Sequence, residues 1–210
     1  MGRAKEIILK VIPTEFANNF VKKHHYSGKF CMNSQLHFGC FLDKKLGGVM
    51  SYGCPIDKRK VIGIVKGTKW NEFLELNRMA FSDLLPKYSE SRCIAISMKL
   101  LKKNAPHIKW VLSFADGTQC GDGTIYRASG FKLIGIKKNT KIYKLQSGET
   151  IAKHGTSKRD FTNSERLEGY QLKYIYFIDK TKEKNLTVPV MPFSKIKEMG
   201  AGMYKGKMRV

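Results

Sequence analysis

Closely spaced cysteine pairs are absent from this 210-residue chain. The five cysteines, Cys31, Cys40, Cys54, Cys93 and Cys120, are dispersed, and none forms a CxxC. An odd, scattered set excludes a disulfide framework and a closely spaced zinc site, and it fits reduced thiols used as small core residues. Long apolar runs are missing too. Nowhere do about 18 apolar residues follow one another, so no membrane span and no membrane partner are expected. Met1-Gly2-Arg3-Ala4-Lys5-Glu6 leads straight into a strand-like run and does not read as a signal peptide, so a cytoplasmic protein is expected. No internal repeat is visible.

Acidic residues are scarce. Against 17 Asp and Glu stand 39 Lys and Arg, a formal charge of +22 and a pI near 9.8. Such an excess repels itself and attracts polyanions, which makes nucleic acid the natural partner. Beyond residue 145 there are 13 Lys/Arg and 7 Asp/Glu, leaving +6 there and +16 before it, so the charge is not confined to a tail.

Periodicity divides the chain into alternating elements. Glu6 to Ile12 reads as a strand, and Thr14 reads as the N-cap of a helix reaching Lys23. Gln35–Leu42 and Leu46–Tyr52 read as strands joined by a turn at Asp43-Lys44-Lys45. Glu72–Phe81 could be a short helix by period, and it is the fold resemblance given below that implies a strand there. Ser89 to Asn104 is the clearest helix, with Ser89 and Ser91 as caps and lysines toward its C-terminus. Trp110–Ala115 has the continuous apolar character of a strand buried on both faces. A helix is expected over Thr124–Ser129, then strands over Lys132–Ile136 and Lys141–Leu145. After Leu145 the composition turns polar, with turns at Ser147-Gly148, Gly155-Thr156-Ser157 and Asn163-Ser164, before a strand at Tyr170–Ile178. The chain is therefore read as a catalytic domain over 1–145 and a basic, DNA-contacting extension over 146–210.

This order resembles that of the GNAT N-acetyltransferases. The implied fold is α/β (α+β), a mixed central sheet flanked by helices. Tyr126-Arg127-Ala128-Ser129-Gly130-Phe131 resembles the Y-x-x-x-G-F ending of the fourth helix of that fold, where a glycine closes the helix. In that family the tyrosine protonates a departing coenzyme A thiolate. The stretch Lys87-Tyr88-Ser89-Glu90-Ser91-Arg92 stands where the family's pyrophosphate loop lies. The resemblance makes Ser89, Ser91 and Arg92 candidates for binding acetyl-CoA or a related small-molecule donor at the helix N-terminus. Both loop glycines of the family are missing here, and Glu90 would face an anion.

A narrower resemblance covers roughly residues 20–180. His25-Tyr26, Phe38-Gly39, Gly53-Cys54-Pro55, Glu75-Leu76-Asn77-Arg78, Ser113-Phe114-Ala115-Asp116, Gly123-Thr124-Ile125-Tyr126-Arg127-Ala128 and Lys173-Tyr174-Ile175-Tyr176-Phe177 together resemble the Mom family of phage DNA-modification proteins. That resemblance implies an enzyme converting adenine to N6-carbamoylmethyladenine in double-stranded DNA and shielding phage DNA from restriction. It implies catalytic roles for His25, Tyr26, Asp116 and Tyr126, with Arg78, Glu75 and Ser113 beside them. It also suggests Fe2+ held by His25 and Asp116.

Read on their own terms, these residues keep more than one meaning. A helix-end histidine can be a base, an acid, a ligand or a simple cap. Asp116 ends an apolar strand, where open α/β sheets place their crevices, yet it can also cap a turn. Glu75 and Arg78, three apart, fall on opposite faces of a regular strand. Tyr170, Tyr174 and Tyr176 can stack on bases or pack in a core. Modifying N6 within a duplex requires the base to leave the stack, into a pocket expected near Asp116 and Tyr126. The alternatives are a conventional GNAT acetyltransferase acting on a small amine or protein, and a non-catalytic nucleic-acid-binding protein.

Overall fold

A computed structural model describes residues 2–117, 121–152, 160–204 and 207–208. Cys120, Gly155-Thr156-Ser157 and Gly206 lie outside the described residues. The chain forms two compact units, one of Met1–Ser113, Ile125–Lys132 and Ile175–Pro189, the other of Phe114–Thr124, Leu133–Tyr174 and Val190–Val210.

The first unit begins with strand β1 (Ile8–Val11) and helix α1 (Thr14–His24), followed by β2 (Ser34–Leu42) and β3 (Lys45–Gly53). Pro13, with its φ already near the helical value, takes the N-cap position of α1, and Thr14 opens the helix proper. Asp43 and Lys44, at φ 51° and 62°, form the two-residue turn between β2 and β3. Both central residues have the positive φ of the hairpin turn that matches strand twist. β1 pairs antiparallel with β2, β2 with β3, and β3 with β4 (Phe73–Phe81).

A short helix α2 (Lys58–Ile62), which periodicity does not reveal, stands between β3 and β4, capped by the Asp57 carboxylate on Lys60 N–H. Helix α3 (Ser89–Asn104) returns the chain to β5 (Trp110–Asp116), which runs parallel to β4. α1 packs across β2, β3 and β4, burying Ala17 and Val21 against Val49 and Ala80. Phe73 and Trp110, on β4 and β5, stack with ring centroids 4.2 Å apart, and Trp110 Nε1 donates to Thr68 Oγ1. Such a pair adds about 1 kcal/mol to the area it buries.

Helix α4 (Thr124–Ala128) precedes β6 (Lys132–Lys144). β6 is continuous over Lys132–Lys144 where two strands were expected, with the Lys141 N–H donating to Asn139 Oδ1 at 3.1 Å. In the second unit β6 pairs antiparallel with β7 (Thr150–Ala152). β8 (Glu165–Phe177) supplies residues to both units, and α5 (Ser194–Glu198) belongs to the second. Among the described residues no helix is long and apolar enough to cross a membrane.

Candidate active site

The geometry of the site starts from a break in strand register. Along β3 and β4, Ser51 faces Arg78 while Tyr52 faces Leu76, so Asn77 is an extra residue, a β-bulge. A bulge shifts side-chain parity by one. Glu75 and Arg78, expected on opposite faces, are thereby brought into mutual electrostatic range, and this corrects the regular-strand expectation. Burial pushes the Glu75 carboxyl above its ordinary value, and Asn77 and Arg78 oppose that rise. Asn77 itself is buried. It takes a hydrogen bond from Ser34 Oγ at 3.2 Å and donates through Nδ2 to Cys54 O at 3.5 Å.

Arg78 pins the segment between α1 and β2. Its Nε donates to Lys29 O at 3.0 Å and Nη1 to Asn77 O at 2.7 Å. His25 closes α1 with its N–H on Val21 O, and Gly28, at φ +60°, folds the chain back with its N–H on His25 O. His25 Nδ1 accepts the Ser27 N–H at 3.2 Å and lies 2.8 Å from Ser27 Oγ. A ring nitrogen that accepts from a backbone amide carries no proton, so the neutral imidazole holds its hydrogen on Nε2. Burial, helped by the Arg78 charge, pushes His25 down to about 4, so it is neutral at physiological pH. The half-exposed Tyr26 ring lies over it, centroids 4.3 Å apart.

A second cluster sits where β4 and β5 part. Their pairing ends at Leu76 and Ser113, although both strands continue. At that point the buried Ser113 Oγ donates to Tyr126 Oη at 3.0 Å and lies 3.3 Å from Leu76 O. Tyr126 is buried on α4 and packs edge-on against Phe131, with Gly130 at φ +79° closing the helix between them.

The start of α3 is built differently from expectation. Tyr88, in the left-handed region at φ 70°, occupies the N-cap position, and neither serine caps the helix. Ser89 Oγ donates back to Pro86 O at 2.5 Å, and Ser91 Oγ to Tyr88 O at 3.3 Å. The reason is local: both hydroxyls reach a carbonyl of the preceding turn before they reach an amide ahead. Arg92 Nη2 donates to Lys5 O, while its buried Nε has no partner. First-turn amides, an orphaned guanidinium nitrogen and Lys87 at one helix start fit a phosphate group, with Glu90 opposed to it.

In the second unit Asp116 is half-buried at the end of β5, and the following Gly117 N–H donates to Tyr170 O at 2.7 Å. Tyr174 is fully buried and stacks with Phe193, its phenol donating to Asp122 O at 3.4 Å. Base stacking is therefore closed to Tyr174, which serves the core. Among the described residues no group of three or more His, Cys, Asp or Glu could hold one metal ion. Among the described residues neither His25 nor Asp116 belongs to such a group, so the residues described do not fit an iron ion.

Residues 6–195 match the Mom protein family. The chain belongs to that family. A Mom family relative, the methylcarbamoylase mom of Escherichia phage Mu, is 33% identical over 208 residues, covering 91% of this chain and 85% of the relative. Among solved structures, NAA60 of Arabidopsis thaliana with a bisubstrate analogue is similar over 81% of this chain and 97% of its own, at a TM-score of 0.54 and 7% identity. An acetyltransferase of Bacillus subtilis in complex with CoA covers 81% of this chain and 97% of its own, at 0.50 and 11%. The ribosomal-protein-S18-alanine N-acetyltransferase of Escherichia coli covers 82% and 94%, at 0.50 and 10%. At these identities the likeness is one of fold, and the fold is the mixed α/β one of the acetyltransferases. In Mom family terms the chain brings Glu75, Arg78 and His25 together, and separately Ser113 and Tyr126. Sequence reading left Asn77 without a role. Only the bulge that makes it the joint between Ser34 and Cys54 reveals it.

Proposed function

We propose that this chain is a DNA-modifying transferase that converts adenine to N6-carbamoylmethyladenine in double-stranded DNA, protecting phage DNA from restriction. The observation that carries this reading is the likeness to the methylcarbamoylase across nine-tenths of the chain. The small-molecule donor is a coenzyme A derivative that carries the carbamoylmethyl group on its sulfur through the CH2 carbon. Its phosphates bind at the start of α3 through first-turn backbone amides, Ser91 and Arg92, the buried Ser89 hydroxyl being committed to Pro86 O, and its reactive end lies where β4 and β5 part. The exocyclic amine of a flipped adenine would gain a bond to that CH2 carbon as the carbon–sulfur bond breaks, and the proton it sheds would go to a carboxylate, for which Asp116 is the candidate. Tyr126 protonates the departing group, and the hydrogen bond from Ser113 stabilises the phenolate left behind. His25, neutral, and Tyr26 present a ring pair to the base. Glu75 and Arg78 hold the His25–Lys29 segment in place. The basic surface, including the extension over 146–210, holds the phosphates.

Mass spectrometry of nucleosides from the DNA of cells expressing the chain tests this reading. A modified deoxyadenosine is expected, and it disappears with Asp116→Ala and with Tyr126→Phe. Unmodified DNA together with acetylated polyamines in those cells would overturn it in favour of a conventional acetyltransferase. Salt-sensitive DNA binding without any modified base would make the chain a binding protein only.

A further inference from the structure

Two of the most exposed apolar side chains in the molecule stand on neighbouring loops of the first unit. Met32 is 83% and Ile56 87% exposed. Met32 precedes Asn33, whose carbonyl accepts the Cys54 N–H at 3.2 Å, and Ile56 follows two residues after Cys54. The two loops are pressed together there. A Cβ on Gly53 would lie inside van der Waals contact of Asn33 O, so only glycine permits the approach. Asn77 ties both loops to the β4 bulge through Ser34 Oγ and Cys54 O, and Arg78 ties the same segment through Lys29 O. Two apolar tips are thus carried on a braced frame. Exposed cations flank both tips along the chain: Lys29 precedes Met32, and Arg59 and Lys60 follow Ile56, Lys60 being paired with Asp57. An apolar tip flanked by cations is complementary to stacked bases between two phosphate backbones.

We propose that Met32 and Ile56 form a wedge that enters the base stack of duplex DNA and occupies the space left by the extruded adenine. The inference rests on the reading of the chain as a DNA adenine modifier and deepens it. Extruding a base breaks stacking on both of its sides, and an inserted aliphatic side chain restores contact with the bases left behind. The flanking cations bind phosphate, so loss of the wedge weakens extrusion far more than it weakens DNA affinity.

The test uses the full chain and a duplex carrying 2-aminopurine at an adenine position mapped as modified in cells. Wild type raises the 2-aminopurine emission. Met32→Ala/Ile56→Ala lowers the fraction of enzyme-bound DNA that is flipped by about tenfold, while DNA affinity changes by less than about threefold. Placing an abasic site opposite the 2-aminopurine removes the pairing cost and restores the signal for the alanine pair. Met32→Leu/Ile56→Leu keeps the wild-type signal on the paired duplex. An unchanged thermal midpoint is expected for all variants, since both side chains face solvent.

Wild-type emission from the alanine pair on the paired duplex would overturn the proposal. So would equal loss on paired and abasic duplexes, or a wild-type dimer that the alanine pair dissolves, which would assign the tips to a second copy. If wild type leaves cellular DNA unmodified, the parent reading fails first. If the alanine pair modifies cellular DNA as well as wild type does, the wedge alone fails.

Discussion

Replacing Arg78 with glutamine tests the electrostatics that set the protonation state of His25. The imidazole lies at about 4 against an ordinary value of 6.5, a displacement of about 2.5 pH units with burial as the larger cause and Arg78 as the smaller. Burial is the larger cause and remains, so Arg78→Gln should raise His25 from about 4 while leaving it below its ordinary value of 6.5. Histidine-selective NMR titration reads this directly, and with five histidines in the chain a His25→Gln variant assigns the signal.

Stability follows with a defined sign. The folded value lies below the unfolded one, so the contribution of His25 is complete above pH 6.5 and is lost as pH falls from 6.5 toward 4. In Arg78→Gln this acid-sensitive window narrows from below. The variant also loses the hydrogen bonds to Lys29 O and Asn77 O, which costs about 1–3 kcal/mol at neutral pH. A His25 value that stays near 4 in Arg78→Gln, or one that falls, refutes this account of the site.

Glu75→Gln should gain stability over the parent in alkaline solution and lose that gain as pH falls. Burial raises the Glu75 carboxyl, so the parent loses stability as pH rises through the folded value, and urea titrations across pH read the difference. A gain that instead grows toward acid pH contradicts the burial argument. Ser113→Ala leaves the Tyr126 phenol without its buried donor and should cost about 1 kcal/mol together with a fall in modified deoxyadenosine per cell. Retention of both by Ser113→Ala removes the serine from the site. Gly53→Ala should separate the two apolar loops, because the methyl meets backbone at Asn33. A drop of several degrees in thermal midpoint checks it, with a cost of about 1–3 kcal/mol from overpacking.

What the sequence determined by itself was local in origin. The helix over Ser89–Asn104 appears with the expected limits because its apolar spacing needs no distant partner. The strand over Trp110–Asp116 was legible from its unbroken apolar run, and Tyr126 from the glycine-ended helix it occupies. Tertiary structure decided the rest. Whether Glu75 and Arg78 share a face depends on the bulge at Asn77, which exists only because β3 pairs with β4 in that register. Ser89 and Ser91 have the composition of helix caps, yet the left-handed Tyr88 takes that place and turns their hydroxyls backward. Tyr174, between Lys173 and Ile175, could by sequence stack on a base or pack in a core, and it is fully buried, stacked with Phe193 from far along the chain. Periodicity records which side of an element is apolar. Only the packing of segments remote in sequence settles what covers that side, and with it which polar groups are left to do chemistry.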